Sequence, residues 1–302
     1  MGAAVVLDRV VKAYESKLAV DSLRLRIERG TIFGLLGPNG AGKTSTIRMI
    51  TGITRPDSGT VELFGQPFDR KALRRVGYLP EERGLYRKMK VLDQLIFLGQ
   101  LHGLSASTAR ERSLAWCRRL QLEDLDQRKT DELSKGMQQK VQFIATLLHE
   151  PELVIMDEPF SGLDPVNALL LEETLLELKR QGCAILFSSH RMDQVEKLCD
   201  AICLVHRGRA VLSGSLREVK ASYERHTVAL QFSGDDSFLK DPAVQEVRRY
   251  ADRAEVRLAR SSDAQALLRA AAASSAVIER FELVEPSLEE IFIRTVGERV
   301  DA

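Results

Sequence analysis

Apolar and polar positions along the chain follow two periods that alternate with one another. "LRLRIERG" (23–30) switches between apolar and polar at every step, which predicts a strand of an antiparallel edge sheet with one face covered. "TIFGLLG" (31–37) is more apolar, so it predicts a buried strand, and a glycine-rich turn follows it. "KTSTIRMITG" (43–52) has the helical period and stops at Gly52. "RPDSGTVELFG" (55–65) reads as turn, strand and turn. From about Ala72 to His149 the pattern is helical, clearest in "VLDQLIFLGQLHG" (91–103) and "ERSLAWCRRLQL" (111–122). "ELVIMDEP" (152–159) and "AILFSSH" (184–190) predict two further buried strands. Between them, "DPVNALLLEETLLELKRQG" (164–182) is a helix with Asp164 as its N-cap, Pro165 at its first position and Gly182 at its end. A short helix "RMDQVEKLCD" (191–200) precedes "AICLVHRGRAVLSG" (201–214), a hairpin turning near Arg207 and Gly208.

Strands that alternate with helices predict an α/β core with a parallel sheet, interrupted by a helical lobe. The pattern shifts after about residue 220. "HTVALQFSG" (226–234) and "AEVRLAR" (254–260) are short alternating strands, and "DAQALLRAAAAS" (263–274) is an alanine-rich helix. "VIERFELVEPSLEEIFIRTV" (277–296) is a strand and then a helix opened by a capping box, Ser287 with Glu290. The expected division is a first domain at 1–220, with its helical lobe at about 82–150, and a small α+β domain at 221–302.

Composition narrows the function classes. The 302 residues, 44% hydrophobic and 29% charged, are enough for a globular core in one large and one small domain. A net charge of +1 weighs against nucleic acid as the main partner. No apolar run approaches the roughly 20 residues needed to span a bilayer, and "MGAAVVLDRV" lacks the basic start and apolar core of a signal peptide, so a cytosolic chain is expected. Cys117, Cys183, Cys199 and Cys203 have no zinc-like pairing and read as structural thiols.

Two loops stand out chemically. "GPNGAGKT" (37–44) has the spacing G-x-x-x-x-G-K-[ST] between a predicted strand and a predicted helix. Its glycines let backbone N–H groups converge on phosphate oxygens, Lys43 can reach the β- and γ-phosphates, and the Thr44 hydroxyl can bind Mg²⁺. At the end of the strand "LVIMDEP", Asp157 is placed for the Mg²⁺ shell and Glu158 to orient or deprotonate an attacking water. The other loop is "LSKGM" (133–137), where Ser134 and Gly136 open a helix whose N–H groups and dipole favour an anion.

In order along the chain stand Tyr14, the phosphate loop, "GYLPEE" (77–82), "LSKGM", "LVIMDEP", "SGLD" (161–164) and His190. Over residues 1 to about 215 this set resembles the ATP-binding cassette (ABC) ATPases. The resemblance implies a P-loop ABC core, with ATP and Mg²⁺ as ligands. It places nucleotide contacts at Tyr14, stacked on adenine, at Gly37, Pro38, Asn39, Gly40, Ala41, Gly42, Lys43 and Thr44, and at Thr46. Thr44, Glu81 and Asp157 would serve the metal. Glu158 and His190 would be catalytic, His190 contacting the γ-phosphate and polarising the pair of water and Glu158. "LSKGM" resembles the family's signature loop, which meets ATP bound by a second cassette, so Ser134 and Gly136 would complete a partner's site, with Asp164 both capping its helix and touching the opposite subunit.

Two departures matter. Glu81 stands where the family usually has glutamine; it can bind Mg²⁺, but an ionised carboxylate donates no hydrogen bond. In "LSKGM", where "LSGGQ" is usual, Lys135 adds positive charge and Met137 removes an amide. "PEERGLYRKMKV" (80–91) with "EPSLEEIFIRTVG" (285–297) is similar to bacterial exporters with separate ATPase and permease chains, including sodium-efflux and multidrug-type systems with an extra C-terminal domain. The expected function is therefore ATP hydrolysis that drives export through a separate transmembrane permease, by head-to-tail pairing with a second ABC subunit, the same or related, on the cytoplasmic face of the membrane and with no direct nucleic acid contact. The C-terminal domain is expected to stabilise a dimer or cap the cassette rather than bind a ligand. Two other readings compete: a soluble ABC ATPase acting on nucleic acid or ribosomes, and a nonhydrolytic ATP-sensing module. Against the first, the stretch between Lys43 and Asp157 leaves no room for a long coiled coil, and the chain has one cassette. Against the second stand Lys43, Asp157, Glu158 and His190.

Overall fold

The computed structural model describes residues 2–15, 17–82, 84–122, 128–223, 226–250 and 253–297. It divides into two compact units, Met1–Ser215 and Leu216–Ala302, so the division precedes the expected boundary at residue 220. In the first unit the order is β1 (Ala3–Tyr14), β2 (Lys17–Glu28), β3 (Ile32–Leu36), α1 (Lys43–Ile50), β4 (Ser58–Leu63), β5 (Gln66–Pro67) and β6 (Val76–Leu79). Then come α2 (Val91–Leu101), α3 (Ala106–Arg119), α4 (Lys135–Leu147), β7 (Leu153–Asp157), α5 (Pro165–Arg180), β8 (Ala184–Ser189), α6 (Met192–Leu198), β9 (Ala201–His206) and β10 (Arg209–Ser215).

Among the described residues the strands form two sheets in this unit. One has the order β10-β9-β3-β8-β7-β6, with β9, β3, β8, β7 and β6 parallel and β10 added as an antiparallel hairpin. Its inner strands β3, β7 and β8 are buried at every residue, as unbroken apolar runs require in a sheet covered on both faces. The other sheet, β2-β1-β4-β5, is antiparallel. One core cluster joins Leu7, Leu25 and Ile27 of this sheet to Ile47 and Ile50 of α1 and to Ile155 and Leu186 of the parallel sheet. Burial of that apolar surface fixes α1, and with it the loop that precedes α1.

Three strands of this unit were not apparent in the pattern: β1, an inner strand of the antiparallel sheet, the two-residue β5 at its edge, and β6, which lies inside the 72–149 stretch that reads as helical. Four residues are too few to show a period. Gly77 lets β6 press against α4: a Cβ there would come within 2.4 Å of the Thr146 carbonyl oxygen. Residues 83 and 123–127 of the same stretch lie outside the described residues.

In the second unit α7 (Leu216–Ala221), β11 (Thr227–Ser233), β12 (Val244–Arg249), β13 (Ala254–Leu258), α8 (Ala264–Ala273), β14 (Val277–Val284) and α9 (Leu288–Gly297) form an α+β fold. The sheet order is β12-β13-β11-β14, all antiparallel, and Leu267 of α8 packs into a core with Val228, Leu230 and Val256. The capping box forms: the Glu290 N–H donates to Ser287 Oγ at 3.2 Å and the Ser287 N–H to Glu290 Oε2 at 2.9 Å. β12 was missed because its two apolar residues, Val244 and Val247, are three apart and show no strand period. All four cysteines are buried and outside any disulfide, and burial raises Cys183 and Cys203 to about 12, so they stay protonated thiols.

A pair of imidazoles gives the first unit a pH-dependent stability. His102 and His149 stack with ring centroids 3.8 Å apart. The Nε2–H of His149 donates to the Val76 carbonyl at 3.1 Å, and its Nδ1 is buried without a partner. Burial first, then the neighbouring His102, depresses His149 to about 4. A histidine with a depressed folded value stabilises fully above its unfolded value near 6.5, and loses that contribution as pH falls from there towards 4. Between pH 7.5 and pH 5 the expected loss is on the order of 2 kcal/mol, measured by urea unfolding. His149→Phe keeps the stack and removes the titration, so its stability should vary less over the same interval; equal slopes would assign the loss to other groups.

Candidate functional site

The chain leaves the carboxyl end of β3, turns through residues 37–42 and enters α1. Gly37, Gly40 and Gly42 take φ of 148°, 78° and 112°. The turn also lies hard against its neighbours: a Cβ at Gly37 would sit 2.2 Å from the Val205 oxygen, and one at Gly42 would sit 2.4 Å from the Ala19 oxygen. Only glycine satisfies both demands. Lys43 is 6% exposed, and its Nζ donates to the carbonyls of Gly37 at 2.7 Å and Pro38 at 3.2 Å. Burial lowers its pKa, while Glu158, Asp157 and Glu81 pull the other way.

β7 delivers the acids. Asp157 is 2% exposed; its Oδ1 accepts from the Ser188 hydroxyl of β8, while its Oδ2 is buried with no hydrogen-bond partner. Glu158 follows in the left-handed region, at φ 52°. Its N–H donates to the Ser188 carbonyl at 3.2 Å, and its Oε1 lies 2.9 Å from His190 Nδ1. Burial, with Asp157 nearby, pushes Tyr78 up to about 12, so β6 presents a neutral phenol behind the site.

These groups surround a cavity of about 430 Å³. Of the expected residues, Tyr14, Asn39, Gly40, Gly42, Lys43, Thr44, Glu81, Asp157, Glu158 and His190 line it. Gly37 and Pro38 contribute the carbonyls that hold Lys43, and Ala41 is buried behind the loop. Thr46 is a correction. It is fully buried and its hydroxyl donates back to the Gly42 carbonyl at 2.9 Å, one turn earlier and on the core side, and Ser45 stands at the cavity instead. Ser161, Ala19 and Lys17 also line the cavity and were missed. Ser45 adjoins Thr44 in "KTS", which was the available signal; Lys17 had none.

Ser134, Gly136 and Asp164 do not reach this cavity. Ser134 caps α4 by accepting from the Met137 N–H at 3.3 Å, and Asp164 caps α5 by accepting from the Asn167 N–H at 2.9 Å. The two loops adjoin, since a Cβ at Gly136 would lie 3.7 Å from the Gly162 oxygen. Ser134 and the adjoining Lys135 are both exposed at the turn, while Leu133 before them is buried.

Residues 20–161 match the family described as ABC transporter, and residues 214–296 match the C-terminal domain of DrrA1-3-like ATP-binding proteins. The uncharacterized ABC transporter ATP-binding protein YhaQ of Bacillus subtilis is 44% identical over 96% of this chain and 98% of its own length. The chain belongs to the ABC transporter ATP-binding proteins. Nod factor export ATP-binding protein I of Paraburkholderia xenovorans is 35% identical over 98% of this ABC subunit and 97% of its own length. A solved structure of the ATP-binding subunit of an ABC transporter superposes with a TM-score of 0.68 at 31% identity, covering 72% of this chain and 92% of that one. The expected P-loop ABC fold and ATPase activity are thus borne out: the cassette binds and hydrolyses ATP as a subunit of an ABC transporter.

Proposed function

We propose that this subunit drives export through a separately encoded membrane permease, and that two cassettes close head to tail on two ATP molecules. The observation that carries the reading is a division within the chain. Lys43, Asp157, Glu158 and His190 converge on one cavity, while the anion-binding helix start at Ser134–Gly136 lies outside it. A helix start of that kind finds its phosphate only on another molecule, and a two-fold pair satisfies both copies at once. Export as the direction is supported by the names of the Nod factor export relatives. Among the described residues no helix is long and apolar enough to cross a membrane, which fits a subunit held peripherally at the cytoplasmic face by its permease.

In this reading Tyr14 stacks on adenine and the loop N–H groups and Lys43 hold the phosphates. Glu158 takes a proton from water as the water oxygen bonds to the γ-phosphorus, and the breaking bond leaves its electron pair on the β-phosphate oxygen of ADP. His190 positions Glu158 through their 2.9 Å contact. The unpartnered Oδ2 of Asp157 fits a magnesium shell, which Thr44 and Glu81 would complete. When bound, the ion neutralises charge on the phosphate oxygens. Lys17 stands at the mouth of the cavity, and its Nζ lies 3.8 Å from the point a Gly40 Cβ would occupy. Lys17→Ala is expected to weaken ATP binding about fivefold, as lost by one partly solvated charge-assisted contact, in a titration with a fluorescent ATP analogue.

The test of the transporter reading is capture with tagged Glu158→Gln, held with ATP and gently extracted from membranes. A stoichiometric protein with several spanning helices supports the permease; ribosomal or DNA-bound proteins without one overturn it. Phosphate release by the captured wild-type complex separates an ATPase from a nonhydrolytic sensor.

A further inference from the structure

β8 changes character where it runs beside the acids. Ala184 to Phe187 are apolar, and the strand then ends in Ser188 and Ser189, both buried. A buried hydroxyl is costly unless it is hydrogen-bonded, so two of them in an apolar strand call for partners. The parallel register sets Ser188 beside Asp157. The Ser188 hydroxyl donates to Asp157 Oδ1, and among the described residues this is the hydrogen bond that the carboxylate makes. Oδ2 is left uncommitted, and Asp157 is one of the residues that line the nucleotide cavity. The same hydroxyl oxygen accepts from the Glu158 N–H at 3.3 Å, alongside the Ser188 carbonyl, which accepts from it at 3.2 Å. One residue therefore ties the side chain of the first acid to the backbone of the second. Ser188 is itself fully buried and does not line the cavity. Ser189 is placed differently: its hydroxyl oxygen accepts from the Arg191 N–H at 3.0 Å, and its hydroxyl reaches Glu158 Oε2 only at 3.5 Å.

A carboxylate turns easily about its last bond unless something holds one of its oxygens. Asp157 has a competing partner in Lys43, whose charge it feels. That ammonium has three donors, of which two are spent on the Gly37 and Pro38 carbonyls. We infer that Ser188 is the positioning residue of the acid pair: its hydroxyl holds Asp157 in the orientation that serves magnesium, against the pull of Lys43, and anchors the start of the Glu158 turn to the same point. The inference rests on the placement of magnesium at Asp157 proposed above.

Magnesium-dependent nucleotide binding tests it without turnover. The full chain is titrated with a fluorescent ADP analogue, once in saturating magnesium and once in EDTA, and the ratio of the two affinities is the magnesium gain. Removing a group that orients a metal ligand from behind lowers metal affinity by about 10–100-fold, so Ser188→Ala should lower the gain by about tenfold or more. Its affinity in EDTA should match that of the wild type, which a merely disturbed fold would not preserve. Ser188→Thr keeps the hydroxyl and should keep most of the gain. Ser189→Ala removes the neighbouring buried hydroxyl and should keep it too. A Ser188→Ala chain with the wild-type gain, or one weakened equally in magnesium and in EDTA, overturns the inference. So does a loss as large in Ser188→Thr or Ser189→Ala as in Ser188→Ala. Asp157→Asn tells this failure from that of the reading beneath it. If Asp157→Asn keeps the wild-type gain, the placement of magnesium falls; if it loses the gain while Ser188→Ala does not, the placement stands and only the role of Ser188 falls.

Discussion

Replacing Lys43 by alanine is expected to lower ATP hydrolysis by about 10²–10³-fold, the usual cost of removing one preorganised donor from a catalytic site. Nucleotide binding should weaken with it, because the ammonium sits inside the phosphate loop itself. The lysine also holds the local structure together. It closes the loop on the Gly37 and Pro38 carbonyls and offsets the negative charge of Asp157, Glu158 and Glu81. Its removal leaves those carbonyls without this donor and the acids without their cation, so a melting temperature lower by several degrees should accompany the lost activity. Lys43→Arg should fail as well, since a planar fork does not fit a buried channel shaped for a single ammonium. Phosphate release and calorimetry on the same preparations check both parts. A variant that keeps full turnover would remove Lys43 from the site.

The phosphate loop was legible because its constraints are local: glycine where φ is positive, lysine and threonine at the helix start, apolar strand before and amphipathic helix after. Asp157 and Glu158 were legible because a strand so apolar has to lie inside a parallel sheet, and acids at its carboxyl end then face the loop. Thr46 shows the limit of that reading. One residue separates it from Thr44 in sequence, but helical rotation turns it from the cavity into the core, and only packing decides where the turn begins. Lys17 and β6 were illegible for a related reason: a lone exposed lysine and a four-residue strand acquire meaning from what folds against them. Nor does the sequence announce that α4 is tied to the site. Yet Gln142 Nε2 donates to the Glu82 carbonyl at 3.1 Å and Gln139 Nε2 to the Pro159 carbonyl at 3.2 Å. The helix opened by "LSKGM" is thereby bonded both to the loop of Glu81 and to the turn after Glu158. Under the head-to-tail reading, a phosphate met by Ser134 would act directly on the backbone that holds both acids.

Glu158→Gln is expected to keep ATP binding and lower turnover about 10²–10⁴-fold, the usual contribution of a general base. The backbone at this residue allows a sharper test. A side chain at φ 52° costs roughly 1 kcal/mol relative to glycine, and such strain persists only where surrounding structure imposes it. Here the imposing contacts are visible: the Glu158 N–H is held by Ser188, and its carboxylate by His190. Glu158→Gly should therefore be as inactive as Glu158→Gln but more stable by up to about 0.5 kcal/mol, the relieved strain less the entropy that glycine adds to the unfolded chain. Both variants lack the charge, and glutamine keeps side-chain contacts that glycine loses, so a glycine variant that is nonetheless the more stable reports relief of backbone strain. A glycine variant that melts above the glutamine variant, with both inactive, would mean that the fold gives up stability to aim this carboxylate at the cavity. Equal melting would mean that relief of strain does no more than offset the lost side-chain contacts of Glu158.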